Sequence, residues 1–246
     1  MRVAVVGASS GLGRSIAVGL GRRGADVALL ARRRERLETA AAEIGNRATT
    51  FECDVTDETS CRSAIAAVVA EMGGIDALVY CPGIGPLKRL ADMDAATWAQ
   101  VFSTNVTGAA LVTAAAIKHL EAANGAAAYL SSVSASMTPP WPGLGSYAVS
   151  KAALDKLVEA WRAEHPRVNF TRVVVGDCAG GDGDARTEFA SGWDLQLAGD
   201  LFPIWAARGY VAGALLDVED LVETVDSVLR TRASVPSIMI TPRRLE

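Results

Sequence analysis

Short apolar runs alternate with longer amphipathic stretches from the first residues of the chain. Arg2–Val6 is nearly all apolar and reads as a strand covered on both faces, while residues 12–23 carry helical periodicity and stop at Gly24. The pair recurs as a strand at 26–30 with a helix at Arg34–Ile44, closed by Gly45. A strand at 49–53 precedes a helix capped by Asp57 that runs to about Met72, before Gly73-Gly74. Residues 75–80 form a fourth strand, apolar but for Asp76. One long helix at 94–123, a strand at 126–131, a helix at 146–164 and a strand at 168–175 follow. The alternation then stops. Residues 176–183 are rich in Gly and Asp, and no clear element appears until Asp217 caps a helix at Val218–Arg230, with a last strand at 237–241.

Strands alternating with helices imply right-handed βαβ crossovers, and continuous apolar strands imply a sheet covered on both faces. The expected fold is α/β: a single doubly wound Rossmann-like domain over residues 1–246, with a mostly parallel sheet of about seven strands flanked by helices. Residues 177–216 fall at the C-terminal edge of such a sheet, where substrates are usually held.

Composition narrows the function class. The chain has 246 residues, 50% hydrophobic and 21% charged, which suits one domain with a large core. Its net charge is −4 and its longest like-charge block is Arg32-Arg33-Arg34, which argues against nucleic acid as a partner. Cys53, Cys61, Cys81 and Cys178 make no Cys-x-x-Cys pair and have no His at ligand spacing, so no metal site and a reduced, cytoplasmic location are expected. The apolar start meets Gly7 too soon for a signal segment, and no run approaches the ~18 to 20 uninterrupted apolar residues of a membrane span. Asp177, Asp182 and Asp184 flank glycines at a spacing that fits a solvated hinge better than a calcium loop. His119 and His165 have no Ser or Cys partner at a suggestive spacing and read as structural.

Two groups carry chemistry. Gly7, Ser9, Ser10, Gly11, Leu12 and Gly13 join the first strand to the first helix as G-x-x-x-G-x-G, where glycines admit a pyrophosphate and the helix N-terminus supplies free N–H groups. The second strand ends in Ala31-Arg32-Arg33, with no carboxylate for an adenosine ribose hydroxyl and two guanidiniums suited to a 2′-phosphate. That pattern predicts NADP(H) in preference to NAD(H). Arg14 is a further candidate phosphate contact or a surface residue. Asp54 is a candidate acceptor from the adenine amino group or a loop cap. The second group is Tyr147 and Lys151, i and i+4 on one helix face, where a cation beside the phenol favours its ionisation.

In this order and spacing the motifs resemble the short-chain dehydrogenase/reductase family over nearly the whole chain. The resemblance maps the family's acidic residue after strand three onto Asp54, followed by Val55, its middle-helix Asn onto Asn105, and its Ser…Tyr-x-x-x-Lys onto Ser132, Tyr147 and Lys151. It implies hydride transfer between a nicotinamide and a carbonyl or alcohol, with Tyr147 as general acid or base. Lys151 would lower the phenol's pKa and bind the nicotinamide ribose, Ser132 would hydrogen-bond the substrate oxygen, and Asn105 would hold a relay water. Ser134 stands two residues nearer Tyr147 and competes for the serine role.

The chain departs from the family pattern at Val6, at Tyr80-Cys81-Pro82-Gly83 after strand four and at Val175-Gly176 after strand six, leaving Gly83 as a cofactor contact. Trp141, Leu144, Trp193, Phe202 and Trp205 lie in segments that would rim the pocket or pack a core, and the first reading suggests an apolar small-molecule substrate. The family implies a homodimer or homotetramer through its middle helices. The rival reading is a non-catalytic dinucleotide-binding sensor or scaffold. A sugar-nucleotide epimerase or dehydratase shares the Tyr/Lys pair but usually has a larger C-terminal domain.

Overall fold

The computed structural model describes residues 1–243 apart from 182, 184, 185 and 212, so Asp182 and Asp184 of the glycine-rich segment lie outside the described residues. Seven strands form one sheet: β1 Arg2–Val6, β2 Asp26–Ala31, β3 Ala48–Glu52, β4 Ala77–Tyr80, β5 Ala126–Ser132, β6 Asn169–Val175 and β7 Ser237–Ile240. Their order is β3-β2-β1-β4-β5-β6-β7, and every pairing is parallel. The order reverses between β1 and β4. Ligands of doubly wound sheets bind outside the strands' carboxyl ends at that switch.

Successive side chains of a strand point to opposite faces, so each strand feeds two cores. Val3, Val5, Val27 and Leu29 pack with α1 (Gly11–Arg22), α2 (Arg34–Ile44) and α9 (Val218–Arg230). Ala4, Val6, Ala28, Leu30 and Tyr80 pack on the other face with α3 (Glu58–Met72), α5 (Gly108–Ala123) and α7 (Gly145–Glu164). Asp57 caps α3 as expected, accepting from the N–H groups of Thr59 and Ser60 at 2.7 and 3.2 Å. Arg2 at the start of β1 and Asp76 just before β4 pair at one end of the two central strands.

The structure departs from the sequence pattern in three places. The long middle helix is interrupted: α4 (Ala95–Phe102), capped by Asp94, passes into a wider π turn at Ser103–Thr107 before α5 begins. A π turn breaks the regular i to i−4 ladder, and the Tyr80 hydroxyl donates to the freed Thr104 carbonyl at 2.5 Å. The short α6 (Val133–Ser136) follows β5 directly. In the segment after β6, α8 (Leu195–Ala207) is capped by Asp194 and contains Pro203, with Leu201 and Trp205 buried. Gly199 and Pro203 obscure that helix in the sequence. Residues 95–123 are also long and apolar enough to cross a membrane by length and composition, yet Val101, Ala109, Val112, Ala116 and Leu120 on that stretch are buried against the domain.

Candidate active site

The cleft begins where β1 ends. Gly7 turns the chain at φ +82°, and the N–H groups of Gly7 and Ala8 both donate to the Leu30 carbonyl, at 2.8 and 3.2 Å. At Gly13 an added Cβ would lie 2.3 Å from the Gly7 carbonyl oxygen, so α1 reaches the turn only because no side chain stands there. Ser10, the N-cap of α1, makes no side-chain capping bond, and helix geometry leaves the N–H groups of Gly11, Leu12 and Gly13 without intrahelical acceptors. A cradle of backbone donors with a positive helix end and no side chains fits a pyrophosphate.

Arg33 reaches back over this turn. Its Nε and one terminal nitrogen donate to the Ser9 hydroxyl at 3.2 and 2.9 Å, and the same terminal nitrogen donates to Ser10 at 2.7 Å. Its other terminal nitrogen pairs with Glu188, as does Arg36. Arg32 is exposed, and its charge acts on Asp54. Asp54 caps its own loop, with one carboxylate oxygen accepting from the Thr56 N–H at 3.0 Å and the Thr56 hydroxyl at 2.8 Å; these bonds hold its carboxyl below its ordinary pKa. Val55 is buried beside Gly108, where its carbonyl would lie 2.9 Å from an added Cβ. Arg14 is neither a surface residue nor a member of the cradle. It is buried and joins α1 to α2 through Glu43, 2.7 Å away.

The other end of the cleft lies past β5. The Ser132 hydroxyl accepts from the Ser134 N–H at 3.2 Å and shares a 3.0 Å contact with the Ser134 hydroxyl. Tyr147, on the first turn of α7, turns its phenol toward Ser132. Of the two serines weighed from the sequence, Ser132 is the one whose hydroxyl acts on the phenol. Lys151 is buried one turn further on, donates to the Leu130 carbonyl at 2.7 Å, and has Nζ 5.7 Å from the Tyr147 ring centroid. Gly83 lets the loop after β4 cross this ammonium, since an added Cβ there would lie 3.1 Å from Nζ.

Asn105 sits in the π turn with no exposed surface. Its side-chain oxygen accepts from the Ile84 N–H at 2.8 Å, and its nitrogen donates to the Ile84 carbonyl at 2.9 Å and to Ser150 at 2.8 Å. Those bonds fix the loop carrying Gly83 against α7. Its amide is thus fully engaged by protein.

The electrostatics differ from the sequence expectation. Burial pushes the Tyr147 phenol up to about 12, and the group opposing that rise is Ser132 rather than Lys151. Burial likewise lowers Lys151 to about 8, opposed by Cys81 and Asp155. A desolvated ammonium bonded to a carbonyl is a weaker influence on the phenol than the same charge at helix-neighbour distance suggests.

An aromatic row closes the site. Phe189 meets Tyr147 edge-on at 4.8 Å between ring centroids, and Trp193 meets Phe189 at 5.6 Å. Trp205 follows at 6.0 Å, then Trp141 at 5.4 Å and Tyr210 at 5.7 Å. The Trp193 indole donates to the Gly85 carbonyl at 2.8 Å and that of Trp205 to the Pro142 carbonyl at 3.0 Å. Leu144 and Trp205 are buried within this cluster, whereas Phe202 is 54% exposed and takes no part in it. Phe189, Glu188 and Arg36 carried no sequence signal of their own. Among the described residues no group of three or more His, Cys, Asp or Glu side chains could hold a metal ion.

Comparison with known proteins places the chain in a family. The "Short chain dehydrogenase MYCFIDRAFT_6125" of Pseudocercospora fijiensis (strain CIRAD86) is 38% identical over 65% of the chain, and the chain spans about half of that relative (53%). Gluconate 5-dehydrogenase of Gluconobacter oxydans (strain 621H) is 30% identical over 90% of the chain and 84% of its own length. The alcohol dehydrogenase of the archaeon Thermococcus sibiricus, solved with 5-hydroxy-NADP, superimposes with a TM-score of 0.82 over 100% of the chain and 97% of its own, at 23% identity, a likeness of fold. The short chain dehydrogenase family model matches residues 1–189, from the glycine turn through Tyr147 and Lys151 to the aromatic strap, and the chain belongs to that family of oxidoreductases.

Proposed function

We propose that the protein is an NADP(H)-dependent oxidoreductase that interconverts a carbonyl and a secondary alcohol on an apolar small molecule. The observation that carries this reading is the convergence of Ser132, Tyr147 and Lys151 at the carboxyl end of β5, across the cleft from a backbone cradle overlain by Arg33.

The cradle of Gly7, Gly11, Leu12 and Gly13 would hold the pyrophosphate, with Ser9, Ser10, Arg32 and Arg33 toward the adenosine 2′-phosphate and Asp54 and Val55 toward the adenine. Gly83, Tyr147 and Lys151 would border the nicotinamide ribose. When bound, the nicotinamide supplies or accepts the hydride. The protein's own task is the proton. With its phenol held at about 12, Tyr147 is protonated at neutral pH and ready to donate to a nascent alkoxide. Ser132, already within reach of the phenol, would donate to the same substrate oxygen and stabilise its developing charge. Lys151 and Asn105 would return a proton to Tyr147 from solvent.

A cytoplasmic homodimer or homotetramer belongs to the same proposal. Its support is the small, partly exposed apolar surface of α5 and α7, which carries Ala114, Ala115, Val149 and Ala152.

The test is oxidation of NADPH against NADH over a panel of aldehydes, ketones and quinones, with Tyr147→Phe beside the unmodified protein. Turnover that prefers NADPH and collapses in the variant is expected. Cofactor binding without turnover on any compound would favour the sensor reading, and a preference for NADH would sink the assignment of Arg32 and Arg33.

A further inference from the structure

Three consecutive residues of the segment after β6 lie across the cleft. Thr187 covers the glycine turn, its Cα 3.2 Å from where a Cβ on Gly11 would stand. Glu188 gives one carboxylate oxygen to Arg33 and the other to Arg36. Phe189 covers Tyr147.

Arg33 is not a freely moving surface arginine. Ser9 and Ser10 hold it over the turn, so its guanidinium is already oriented where the dinucleotide's adenosine end must pass. A carboxylate bridging two guanidiniums presents the same charge sign and paired oxygen acceptors as two oxygens of a phosphate monoester. The arginine pair holds the Glu188 carboxyl below its ordinary pKa, so it is ionised throughout the neutral range. An anion bound there and a second anion arriving compete directly.

We propose that Glu188 is a specificity-determining residue for the cofactor: its carboxylate occupies the arginine pair as an internal counterpart of the 2′-phosphate, which a phosphorylated dinucleotide must displace and an unphosphorylated one need not. The proposal rests on the assignment of Arg33 to the 2′-phosphate. It adds Arg36 to the same site and makes the selectivity smaller than two arginines alone would give. Because Phe189 adjoins Glu188, expelling the carboxylate also draws on the cover of Tyr147.

The experiment titrates 2′,5′-ADP and 5′-AMP calorimetrically against the unmodified protein and Glu188→Gln. Glu188 is partly exposed, so the exchange leaves the cores untouched. Glu188→Gln is expected to bind 2′,5′-ADP about three- to tenfold more tightly while 5′-AMP changes by less than about twofold. In an Arg36→Ala background the gain should shrink, since one of the two pairs is already lost. Unchanged or weaker binding of 2′,5′-ADP by Glu188→Gln overturns the proposal; weaker binding of 5′-AMP overturns it by giving Glu188 to the ribose hydroxyls. Should the unmodified protein bind both nucleotides equally and the variant prefer 2′,5′-ADP, the competition stands and the NADP preference falls. No preference in either protein overturns both.

Discussion

The glycine turn and the strap that faces it differ in what would have to move for a ligand to enter. At the turn, the Gly7 and Ala8 N–H groups are spent on Leu30, and Gly13 leaves less room than one methyl group requires. The backbone of the turn itself needs no rearrangement to receive an anion, because the first N–H groups of α1 have no intrahelical acceptor. The strap is held by side chains instead: Glu188 on two arginines, Phe189 on Tyr147 and Trp193 on the Gly85 carbonyl. Each contact can be exchanged for a ligand contact of similar kind. One wall is preorganised, and the other competes with what it binds. Substitutions that separate the two walls should therefore affect different observables.

The largest effect should come from the group that only the chemistry needs. Tyr147→Phe keeps the ring that packs on Phe189 and removes the acidic proton, so turnover should fall by about 10²- to 10⁴-fold. Cofactor affinity and the thermal midpoint should stay close to those of the unmodified protein. A comparable loss of cofactor binding, measured by calorimetry, would mean that Tyr147 holds the strap rather than handling a proton.

Next in size is Arg33→Ala, which touches both walls at once. It removes the charged hydrogen bonds to Ser9 and Ser10 and one of the two Glu188 pairs. NADPH should bind roughly tenfold more weakly, about 1.4 kcal/mol, with NADH changed far less. Equal losses for both cofactors would show that Arg33 props the turn without reading a 2′-phosphate.

A change of similar size tests how the preorganised side is supported. Tyr80→Phe leaves the buried ring in place but strips the donor from the Thr104 carbonyl in the π turn. The cost should be about 1–3 kcal/mol of stability, read as a lower denaturant midpoint at unchanged slope. Because Asn105 lies in the same turn and fixes Ile84, cofactor binding should weaken with it.

The two walls were also unequally legible in the sequence. The turn, the alternation of strands with helices and the Tyr147–Lys151 face depend on local periodicity and on glycines at fixed offsets, which a single chain displays. The π turn at Ser103–Thr107 was invisible because its residues suit an ordinary helix, and the deciding partner, Tyr80, lies on another strand. Tyr80 stands where the chain departs from the family pattern, and its hydroxyl serves the π turn. Ser132 and Ser134 stand two positions apart in the sequence, and only the fold brings the Ser132 hydroxyl to act on the phenol. The strap was the least legible part. Its arginine pairs join residues more than 150 positions apart, and no local pattern announces a contact of that span. Arg14 misled for the reverse reason: it stands beside the glycines, but its charge is spent on Glu43 beneath them.

Phe189→Ala should have the smallest effect, and its direction tests whether the strap governs the chemistry it covers. Burial raises the Tyr147 phenol to about 12 because the phenolate is denied water. Removing the ring at 4.8 Å admits solvent, which favours the ionised form, so the phenol should titrate at lower pH. Reduction uses the protonated phenol and should stay flat with pH through the neutral range, whereas oxidation uses the phenolate and should rise as pH increases. In Phe189→Ala the rising limb of oxidation should begin at lower pH, with reduction near neutrality unchanged. The same shift should appear without any cofactor as phenolate absorbance, taken as the difference between proteins with and without Tyr147→Phe. A limb that stays where it was would place the cause of the high pKa in the floor of the site, around Leu130 and Lys151, and leave the strap as a barrier to entry with no hold on the proton.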